Sequence, residues 1–302
     1  MFVRLLIAVV WIVVAPIGLG AAEKEIGTKD RFEVVETKLT PIATALGKPG
    51  PGDWLANHRE PGQTFAQYLR ANPVVKSDRL TTMYLCLIGD FTRDQERVLK
   101  LTMEYLGLVY AVPVKVHRRL SLDKIPDEAR RTHPTLGDKQ ILTTHVLDQV
   151  LAPERPEDAL AYLAFTSSDL WPGENWNFVF GQAKLRQRLG VWSIYRNGDP
   201  SKDEDAFRLC LRRTLATAAH ETGHILTIKH CTAFQCGMNG SNNLTESDRQ
   251  PLHFCPVCLR KVCWNLRVEP VEYLTSLEKF CRREKLTDEA DWYRGAVELL
   301  QK

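Results

Sequence analysis

The sequence predicts an α/β domain in which short strands alternate with helices. From residue 83 onward, short apolar runs alternate with amphipathic helical segments, an order typical of α/β proteins. A histidine motif falls on a late helix, and two close pairs of cysteines follow it. With 302 residues, 44% of them hydrophobic, the chain is able to bury a substantial core. Length alone suggests one or two domains.

The first 22 residues have the layout of a secretory signal peptide. An early arginine precedes an apolar run, which Pro16, Gly18 and Gly20 interrupt before the small residues that end at Ala22. The alternative is an uncleaved membrane anchor over residues 5–22, because this stretch approaches the roughly 18–20 residues that span a bilayer. The Pro and Gly breaks favour cleavage. We expect an exported protein, periplasmic or secreted, that meets a membrane only if this segment stays uncleaved.

Residues 23–80 are predicted to form an N-terminal extension ahead of the main domain, residues 81–302. A Pro/Gly cluster at residues 47–54 predicts a turn, and residues 63–72 predict a short helix. No motif in this extension indicates a function.

A βαβ unit is expected to open the main domain. Residues 83–91 form an apolar run that predicts a buried strand. Residues 93–107 follow Thr92, a suitable N-cap, and have the pattern of an amphipathic helix. Residues 108–117 predict a second strand, and the helical crossover favours parallel pairing of the two strands.

The alternation of strands and helices continues through the rest of the main domain. Residues 140–152 predict a second helix. Three strand-like runs follow it, at residues 160–171, 177–185 and 191–197. Residues 205–227 have helical spacing with no breaker before Gly223. One or two amphipathic helices are expected after Cys258.

The stretch HETGHILTIKHC, residues 220–231, carries the strongest chemical signal. His220 and His224 are four residues apart, about 400° of rotation on an α-helix, so their rings project from one face. Two imidazoles placed in this way bind one Zn²⁺, and a glutamate after the first histidine reaches a water on the metal. Glu221 is therefore the candidate general base.

A third histidine, His230, is a ligand only under a structural condition. It follows His224 by six residues, which in a continuous helix is about 600° of rotation and 9 Å of rise. Its ring would then lie off the metal-binding face. The chain must therefore leave the helix between Ile225 and Lys229 for His230 to bind the same metal.

Four of the eight cysteines have the spacing of a tetrahedral zinc site. They form a C-x4-C pair and a C-x2-C pair separated by eighteen residues, at Cys231, Cys236, Cys255 and Cys258. Each close pair fits on a tight turn, as in structural thiolate sites. Disulfide pairing after export is the alternative, because an oxidising compartment favours disulfides. Cys86 is expected to be a buried, inert thiol, whereas the sequence assigns no state to Cys210, Cys263 and Cys281.

Together with the segments TAFQCGM and FCPVC, the stretch HETGHILTIKHC resembles the archaemetzincin family. That family shares the H-E-x-x-H-x-x-G-x-x-H helix of the metzincin clan and adds a four-cysteine zinc site. Residues 165–196 are similar to its strand-loop-strand block ahead of the active-site helix, and residues 51–69 resemble its bacterial and animal members. The resemblance covers most of the chain after about residue 50. It implies a compact metzincin-like zincin domain with a mixed sheet, an active-site helix and a C-terminal subdomain built on the four-cysteine zinc site.

Carried over position by position, the resemblance implies two Zn²⁺ ions per chain, one catalytic and one structural. The implied ligands of the catalytic zinc are His220, His224 and His230, with Glu221 as the base. The implied ligands of the structural zinc are Cys231, Cys236, Cys255 and Cys258. Beneath the catalytic metal, the implied methionine floor is Met238. The implied edge strand, which binds an extended peptide, consists of Phe178, Val179, Phe180, Gly181, Gln182 and Ala183.

One position departs from the family pattern. The motif has Gly at the seventh residue after the first histidine, where this chain has Thr227. Gly suits the turn because it readily adopts a positive φ, whereas a β-branched residue in a left-handed conformation costs about 1–2 kcal/mol. Either the zinc sites stabilise a turn at Thr227, or the turn lies elsewhere, or His230 is not a ligand.

The expected function is zinc-dependent hydrolysis of peptide bonds, with a peptide or protein as the substrate. The resemblance suggests removal of residues from the N-terminus, as by an aminopeptidase. The alternative is a non-catalytic zinc protein that recognises peptides, if Thr227 distorts the turn. The formal net charge is only +3, and no basic tract is interleaved with aromatic residues, so nucleic acid is not an expected partner.

Overall fold

The computed structural model describes residues 30–174 and 176–302. The expected signal peptide, residues 1–22, lies outside the described residues, as do residues 23–29. Within the described ranges, no helix is both long enough and apolar enough to cross a membrane.

The strands of the described residues form two mixed sheets. Those of the larger sheet are β1 (Thr82–Ile88), β2 (Val114–Leu120), β5 (Ala159–Thr166), β7 (Gly181–Lys184) and β8 (Leu189–Ser193). Those of the smaller sheet are β3 (Arg130–Thr132), β4 (Lys139–Leu142) and β6 (Asp169–Trp171). The larger sheet has the order β2-β1-β5-β8-β7, and the smaller one β3-β4-β6. Neighbours in the larger sheet are parallel except β7, which runs antiparallel to β8 at the edge.

Helices alternate with these strands and then dominate the C-terminal part of the chain. The α-helices of the described residues are α1 (Glu33–Leu39), α2 (Trp54–Asn57), α3 (Phe65–Arg70), α4 (Arg93–Val109), α5 (Thr143–His145), α6 (Glu204–Ile225), α7 (Leu244–Asp248), α8 (Pro256–Leu266), α9 (Pro270–Arg283) and α10 (Thr287–Gln301). A π-helical segment, Val146–Leu151, continues α5. Short 3₁₀ turns occur at Thr40–Ile42, Leu122–Lys124, Asp127–Ala129, Ala152–Glu154, Leu185–Gln187 and Tyr195–Asn197. The predicted α/β class with a mixed sheet is confirmed.

The βαβ unit is confirmed, with a longer helix than predicted. The hydroxyl of Thr92 accepts a hydrogen bond from the backbone N–H of Gln95, whose side chain accepts one from the Thr92 N–H. This capping box satisfies two N–H groups that the first turn leaves without helical partners. Leu106 and Val109 are buried on the core side of α4, so the helix continues past residue 107. The second strand therefore begins at Val114 rather than at residue 108.

The helix predicted over residues 140–152 is partly wrong, because its first residues form a strand. β4 pairs in parallel with β6, and the side-chain amide of Gln140 donates to Asp169 at 2.7 Å. This pairing holds residues 140–142 extended. Helical structure begins only at Thr143.

Residues 160–171 also differ from the prediction, since one strand-like run becomes two strands in different sheets. The turn between them is closed by a hydrogen bond from the Ser168 N–H to the hydroxyl of Thr166, at 3.0 Å. β5 is buried along its whole length in the larger sheet. After the turn, β6 joins the smaller sheet.

Three helices rather than one or two follow the cysteine pair, and the start of the described chain packs against them. Phe32, Val35 and Leu39 belong to the same hydrophobic cluster as the buried residues of α8, α9 and α10. The guanidinium of Arg260 binds the carboxylates of Asp30 and Glu36 at 2.9 and 2.7 Å. Residues of the N-terminal extension thus contribute directly to the main core.

The long helix α6 is fixed at both ends by its surroundings. Asp203 caps its N-terminus by accepting a hydrogen bond from the Ala206 N–H at 2.7 Å. Its buried residues recur at three- and four-residue spacing, as at Phe207, Leu211, Leu215, Ala218 and Thr222. Near its C-terminus, the hydroxyl of Tyr110 donates to the carbonyl of Ala219. The helix packs against α4, β7 and β8, which places its last turns beside the edge of the sheet.

Candidate metal centre

The last two turns of α6 place two histidine rings side by side. The Nε2 atoms of His220 and His224 are 3.0 Å apart, and the ring centroids are 4.6 Å apart. A tetrahedral zinc with Zn–N bonds of about 2.05 Å separates its ligand nitrogens by about 3.3 Å. The two rings therefore already have nearly the spacing that one zinc ion requires.

The chain leaves α6 directly after Ile225 and turns at Thr227. The Thr227 N–H donates to the carbonyl of His224 at 2.8 Å, and the Ile228 N–H donates to that of Gly223 at 3.1 Å. These two bonds are the pattern of a Schellman motif. Thr227 occupies its left-handed position with a φ of 72°. The sequence allowed a turn at Thr227, a turn elsewhere, or a His230 that is not a ligand. In the structure the turn lies at Thr227.

This turn brings the ring of His230 to the other two rings. Its centroid lies 5.1 Å from that of His220 and 4.8 Å from that of His224. One candidate ligand atom from each of the three histidines lies within 4.8 Å of the others. The rings of Trp54 and His230 pack in a T-shaped arrangement, with the centroids 5.2 Å apart.

Each of the three rings has its Nδ1 atom against a hydrogen-bond acceptor. The pairs are His220 with the carbonyl of Gly237 (3.0 Å), His224 with the carbonyl of Ile228 (2.7 Å) and His230 with the carboxylate of Glu60 (2.9 Å). Because these oxygens only accept, we assign the proton to Nδ1 and a lone pair to Nε2 in each ring. Two such lone pairs that face each other at 3.0 Å repel each other, and a cation bound by both nitrogens would remove this repulsion. The three residues therefore fit a zinc ion.

The surroundings also keep these rings neutral. Burial, together with the nearby His224 and His230, lowers the pKa of His220 well below its usual value. Burial lowers the pKa of His224. Burial and then the neighbouring His224 lower the pKa of His230, whereas Glu60 acts in the opposite direction. Neutral imidazole is the form that binds metal, so no proton has to be removed at neutral pH.

Glu221 lies next to His220 and close to the edge strand. A Cβ atom added to Gly181 would lie 3.3 Å from Cγ of Glu221, so β7 passes directly beside this glutamate. Burial raises the pKa of Glu221 to about 7, and His230 opposes that shift. A carboxyl group with a pKa near neutral pH is suited to accept a proton and then return it.

Met238 packs against the last turns of α6. Its side chain is fully buried. A Cβ atom on Gly223 would lie 2.5 Å from the sulfur of Met238, so this methionine fits only because Gly223 has no side chain. The sulfur therefore lies against the helical turn that joins His220 to His224, where the family resemblance puts the methionine floor.

The four cysteines grouped by their spacing lie together in space. Their sulfur atoms are within 4.8 Å of one another, and all four residues are buried. Sγ of Cys231 and Sγ of Cys255 are 3.6 Å apart, close to the roughly 3.8 Å expected for sulfurs bound at 2.3 Å to a tetrahedral zinc. The N–H groups of Met238 and Cys255 donate to Sγ of Cys236 at 3.4 and 3.1 Å, which stabilises a thiolate. This cluster also fits a zinc ion.

The cysteines outside this cluster are buried thiols. All eight cysteines lie in the described ranges, and each is free and buried. Burial raises the pKa of Cys86 and that of Cys210 to about 11, so both stay protonated at neutral pH. The alternative of a disulfide-bonded protein therefore has no support in the structure, and Cys86 has the environment predicted for it.

The two candidate metal sites share one loop, residues 230–239. Cys231 directly follows His230, and its N–H donates to the carbonyl of Met238 at 2.7 Å. The side chain of Asn239 ties the loop together by accepting from the Cys236 N–H and donating to the carbonyl of Cys231. The carbonyl of Gly237 in the same loop meets the ring of His220. A substitution in one of the two sites should therefore also alter the structure of the other.

The predicted edge strand is shorter than expected. Gly181, Gln182 and Ala183 lie in β7, at the edge of the larger sheet. The prediction of a strand at Phe178, Val179 and Phe180 is wrong. The Val179 N–H bonds instead to the carbonyl of Leu170 at 3.1 Å, as an isolated bridge to the smaller sheet. The part of the segment that is a strand is the part beside Glu221.

Sequence reasoning did not find the acidic partner of His230. Glu60 precedes His230 by 170 residues, and it lies in the extension to which the sequence assigned no function. The similarity of residues 51–69 to bacterial and animal archaemetzincins was a signal that this segment matters, but it marked no single residue.

Known proteins of one family resemble this chain in sequence and in fold. Residues 158–263 match the model of Peptidase family M54. Archaemetzincin-2 of Macaca fascicularis is 34% identical over 282 residues, which cover 82% of this chain and 75% of that protein. The archaemetzincin of Thermococcus kodakarensis is 38% identical over 119 residues, or 38% of this chain and 61% of that protein. The crystal structure of the archaemetzincin of Methanopyrus kandleri matches with a TM-score of 0.50 and 27% identity, over 64% of this chain and 99% of that chain.

Proposed function

The chain belongs to the archaemetzincin family of zinc-dependent metallopeptidases, and we propose that His220, His224 and His230 bind its catalytic zinc. The observation that carries this proposal is the convergence of three neutral rings, each with Nδ1 held by an acceptor. Three protein ligands leave one position of a tetrahedral zinc open, as in catalytic rather than structural sites.

Glu221 is the proposed general base of the reaction. Zinc bound by the three rings would polarise the peptide carbonyl and lower the pKa of the attacking water towards about 7. Glu221 accepts the proton of that water and later returns it to the leaving amine. A substrate backbone paired with the edge strand at Gly181, Gln182 and Ala183 would lie beside this carboxyl group, as in other cases of strand addition. Met238 supports the turn of α6 between His220 and His224 by packing against Gly223.

The second proposed zinc is structural and is bound by Cys231, Cys236, Cys255 and Cys258. Four thiolates fill the coordination sphere of a tetrahedral zinc, so this ion has no open position for a substrate. The buried position of all four cysteines supports a role in stability. The proposed zinc content is therefore two ions per chain.

The first test compares the zinc content of the wild type with that of His230→Ala, both purified without chelator or added metal. We expect about two zinc ions per wild-type chain and about one in the variant, because two histidines alone bind zinc more weakly. Hydrolysis of a peptide library by the wild type is measured on the same samples. Two ions in both proteins would show that His230 is not a ligand and would contradict the proposed site.

We also propose that the enzyme removes residues from the N-terminus of its substrate. An aminopeptidase binds the free ammonium group of its substrate, so hydrolysis by this enzyme should depend on an unmodified N-terminus. Peptides with a free N-terminus should be hydrolysed, whereas the same peptides with an acetylated N-terminus should not. Equal hydrolysis of both sets would instead indicate an endopeptidase.

The alternative proposal is a non-catalytic zinc protein that recognises peptides. This alternative would follow if Thr227 distorted the turn after α6 and kept His230 away from the zinc. In the described residues, Thr227 completes a hydrogen-bonded turn that brings His230 to the other two rings. Wild-type protein that contains two zinc ions, binds peptides and hydrolyses none of them would favour this alternative.

Export remains a proposal that rests on the sequence pattern of residues 1–22 alone. Cleavage near Ala22 would yield a mature chain that begins at about residue 23. N-terminal sequencing of protein recovered outside the cytoplasm checks this. A recovered chain that still begins at residue 1 would favour the membrane anchor over residues 5–22.

A further inference from the structure

A segment far from the metal motif holds the third histidine of the proposed site in place. Residues 54–76 pack over the turn at residues 227–230, although they belong to the predicted N-terminal extension. Both carboxylate oxygens of Glu60 lie near Nδ1 of His230, at 3.0 and 2.9 Å. The side chains of His230 and Glu60 are 17% and 27% exposed, so solvent only partly screens this contact.

His230 needs such a partner more than the other two histidines do. The backbones of His220 and His224 are fixed by α6, which ends at Ile225. His230 lies outside any helix or strand, and Lys229 before it is exposed. Its ring is held by the carboxylate of Glu60 and by T-shaped packing with the ring of Trp54.

The backbone that leads to His230 is held by the same segment. The side-chain amide of Gln63 donates to the carbonyl of Thr227 at 3.1 Å, and its oxygen accepts from the Lys229 N–H at 3.2 Å. The hydroxyl of Thr227 accepts a hydrogen bond from the Val74 N–H at 3.3 Å. These bonds hold the backbone before and after Ile228. They thereby support the turn at Thr227, the residue that replaces the glycine of the family motif.

Gln63 is itself anchored to the core. The buried ammonium of Lys261 donates to the backbone carbonyl of Gln63 and to its side-chain oxygen, at 2.5 and 3.2 Å. Gly62, with a φ of 68°, passes so close to Thr232 that a Cβ atom would lie 2.5 Å from its hydroxyl. Glu60 is therefore presented by a segment with fixed backbone partners on its C-terminal side.

We infer that Glu60 is a positioning residue of the catalytic site, which orients His230 so that Nε2 faces the zinc. This inference rests on the proposed function, because it requires zinc bound by the three histidines. A carboxylate on the outer nitrogen fixes the tautomer of a histidine ligand and raises its basicity. Glu60 therefore contributes to zinc affinity through His230 and does not contact the metal.

The experiment measures the zinc affinity of the three-histidine site by competition with a chelator, for wild type, Glu60→Ala and Glu60→Gln. The zinc of the four-cysteine cluster is the internal reference. We expect Glu60→Ala to weaken zinc binding at the histidine site by about 10–100-fold, the usual effect of losing such a partner. Glu60→Gln should lose less, because its side-chain oxygen still accepts a hydrogen bond from Nδ1.

Asp78→Ala is the matched control, since it removes an acidic group of the same extension that has no hydrogen bond or ion pair among the described residues. Asp78 is exposed, and its replacement should leave the affinity unchanged. Replacing zinc with Co²⁺ adds a spectroscopic readout. The visible absorption of the histidine-bound cobalt should change in Glu60→Ala and remain as in wild type in Asp78→Ala.

Equal zinc affinity in wild type, Glu60→Ala and Glu60→Gln would overturn the inference. An increase in KM for peptides with a free N-terminus, with unchanged zinc affinity, would also overturn it and would make Glu60 an anchor for the substrate amine. The comparison does not depend on turnover. Wild type that binds zinc at the histidine site but hydrolyses no peptide would contradict the proposed function and still allow the affinities to be compared.

Discussion

The orientation of each histidine in the proposed site depends on one hydrogen bond from its outer nitrogen. Two of these bonds go to backbone carbonyls, at Gly237 and Ile228, and one goes to the carboxylate of Glu60. Because such bonds fix the tautomer, the inner nitrogens are available for zinc before the metal binds. The site is thus preorganised by the fold.

At the scale of single residues, Glu221→Gln tests the proposed base. Glutamine keeps the size of the side chain but cannot accept and return a proton. We expect an unchanged zinc content and a loss of about 10²–10⁴-fold in kcat, the usual contribution of general acid–base catalysis. Glu204→Gln, at the exposed start of the same helix, should keep full activity. Undiminished turnover in Glu221→Gln would remove Glu221 from the mechanism.

Thr227 is a second test at this scale, because its side chain both strains and stabilises the turn. Thr227→Val keeps the β-branched shape but removes the acceptor of the Val74 N–H, and we expect a loss of about 1–2 kcal/mol in unfolding free energy. Thr227→Gly loses the same bond but relieves roughly 1 kcal/mol of left-handed strain, so its stability should be close to that of wild type. Chemical denaturation of the zinc-loaded proteins measures both. A glycine variant as unstable as the valine variant would contradict this account of the turn.

At the scale of secondary-structure elements, the long helix α6 contains an interior glycine, at a position where alanine usually stabilises a helix more. Gly223 lies between the two histidines of the helix, and Met238 fills the space beside it. The absence of a side chain therefore decides how closely the loop with residues 230–239 approaches the helix.

Gly223→Ala and Gly295→Ala form a matched pair of tests at the scale of the helix. Alanine stabilises an open helical position by about 0.5–1 kcal/mol relative to glycine, and we expect this gain at Gly295, where a Cβ atom meets nothing within 4 Å. At Gly223 the same atom would lie 2.5 Å from the sulfur of Met238, and overpacking costs about 1–3 kcal/mol. Gly223→Ala should therefore lower the midpoint of urea denaturation, and Gly295→Ala should raise it. Stabilisation by both variants would show that Met238 moves without cost.

At the scale of the whole molecule, the two proposed zinc sites and the N-terminal extension form one connected structure. The loop with residues 230–239 supplies ligands or supporting groups to both sites, and residues 54–76 hold its start. The extension also packs into the main core through Phe32, Val35 and Leu39. A substitution in either zinc site or in the extension should therefore also change the stability of the other parts.

Cys255→Ser tests this connection, with Cys263→Ser, in the helix that begins directly after Cys255, as its control. Zinc binding at structural sites contributes directly to folding, with apparent free energies of about 10–16 kcal/mol in isolated peptides. We expect Cys255→Ser to lose the cluster zinc and several kcal/mol of stability. Cys263 is equally buried but outside the cluster, so Cys263→Ser should keep both ions. Zinc analysis and thermal unfolding check this, and retention of both ions with unchanged stability in Cys255→Ser would contradict the four-cysteine site.

Much of the fold could be predicted from the sequence because its signals are local. The capping residue Thr92 and the apolar periodicity of α4 and α6 act within a few residues of the chain. The errors occur where distant residues decide the conformation. Gln140 lies in a strand because β4 pairs with β6, and Val179 leaves the edge strand because it pairs with Leu170.

The sequence by itself determined the family, the α/β class and the two sets of candidate zinc ligands, because the spacing of histidines on a helix and of cysteines on turns is a local property. Only the tertiary structure decided whether His230 joins the other rings, because that depends on the φ of Thr227 and on contacts with a segment about 170 residues away. It also placed Glu60 and Gln63 in the site. Hydrogen bonds between segments so far apart in the chain leave no periodicity or spacing in the sequence, so they become visible only when the chain is folded.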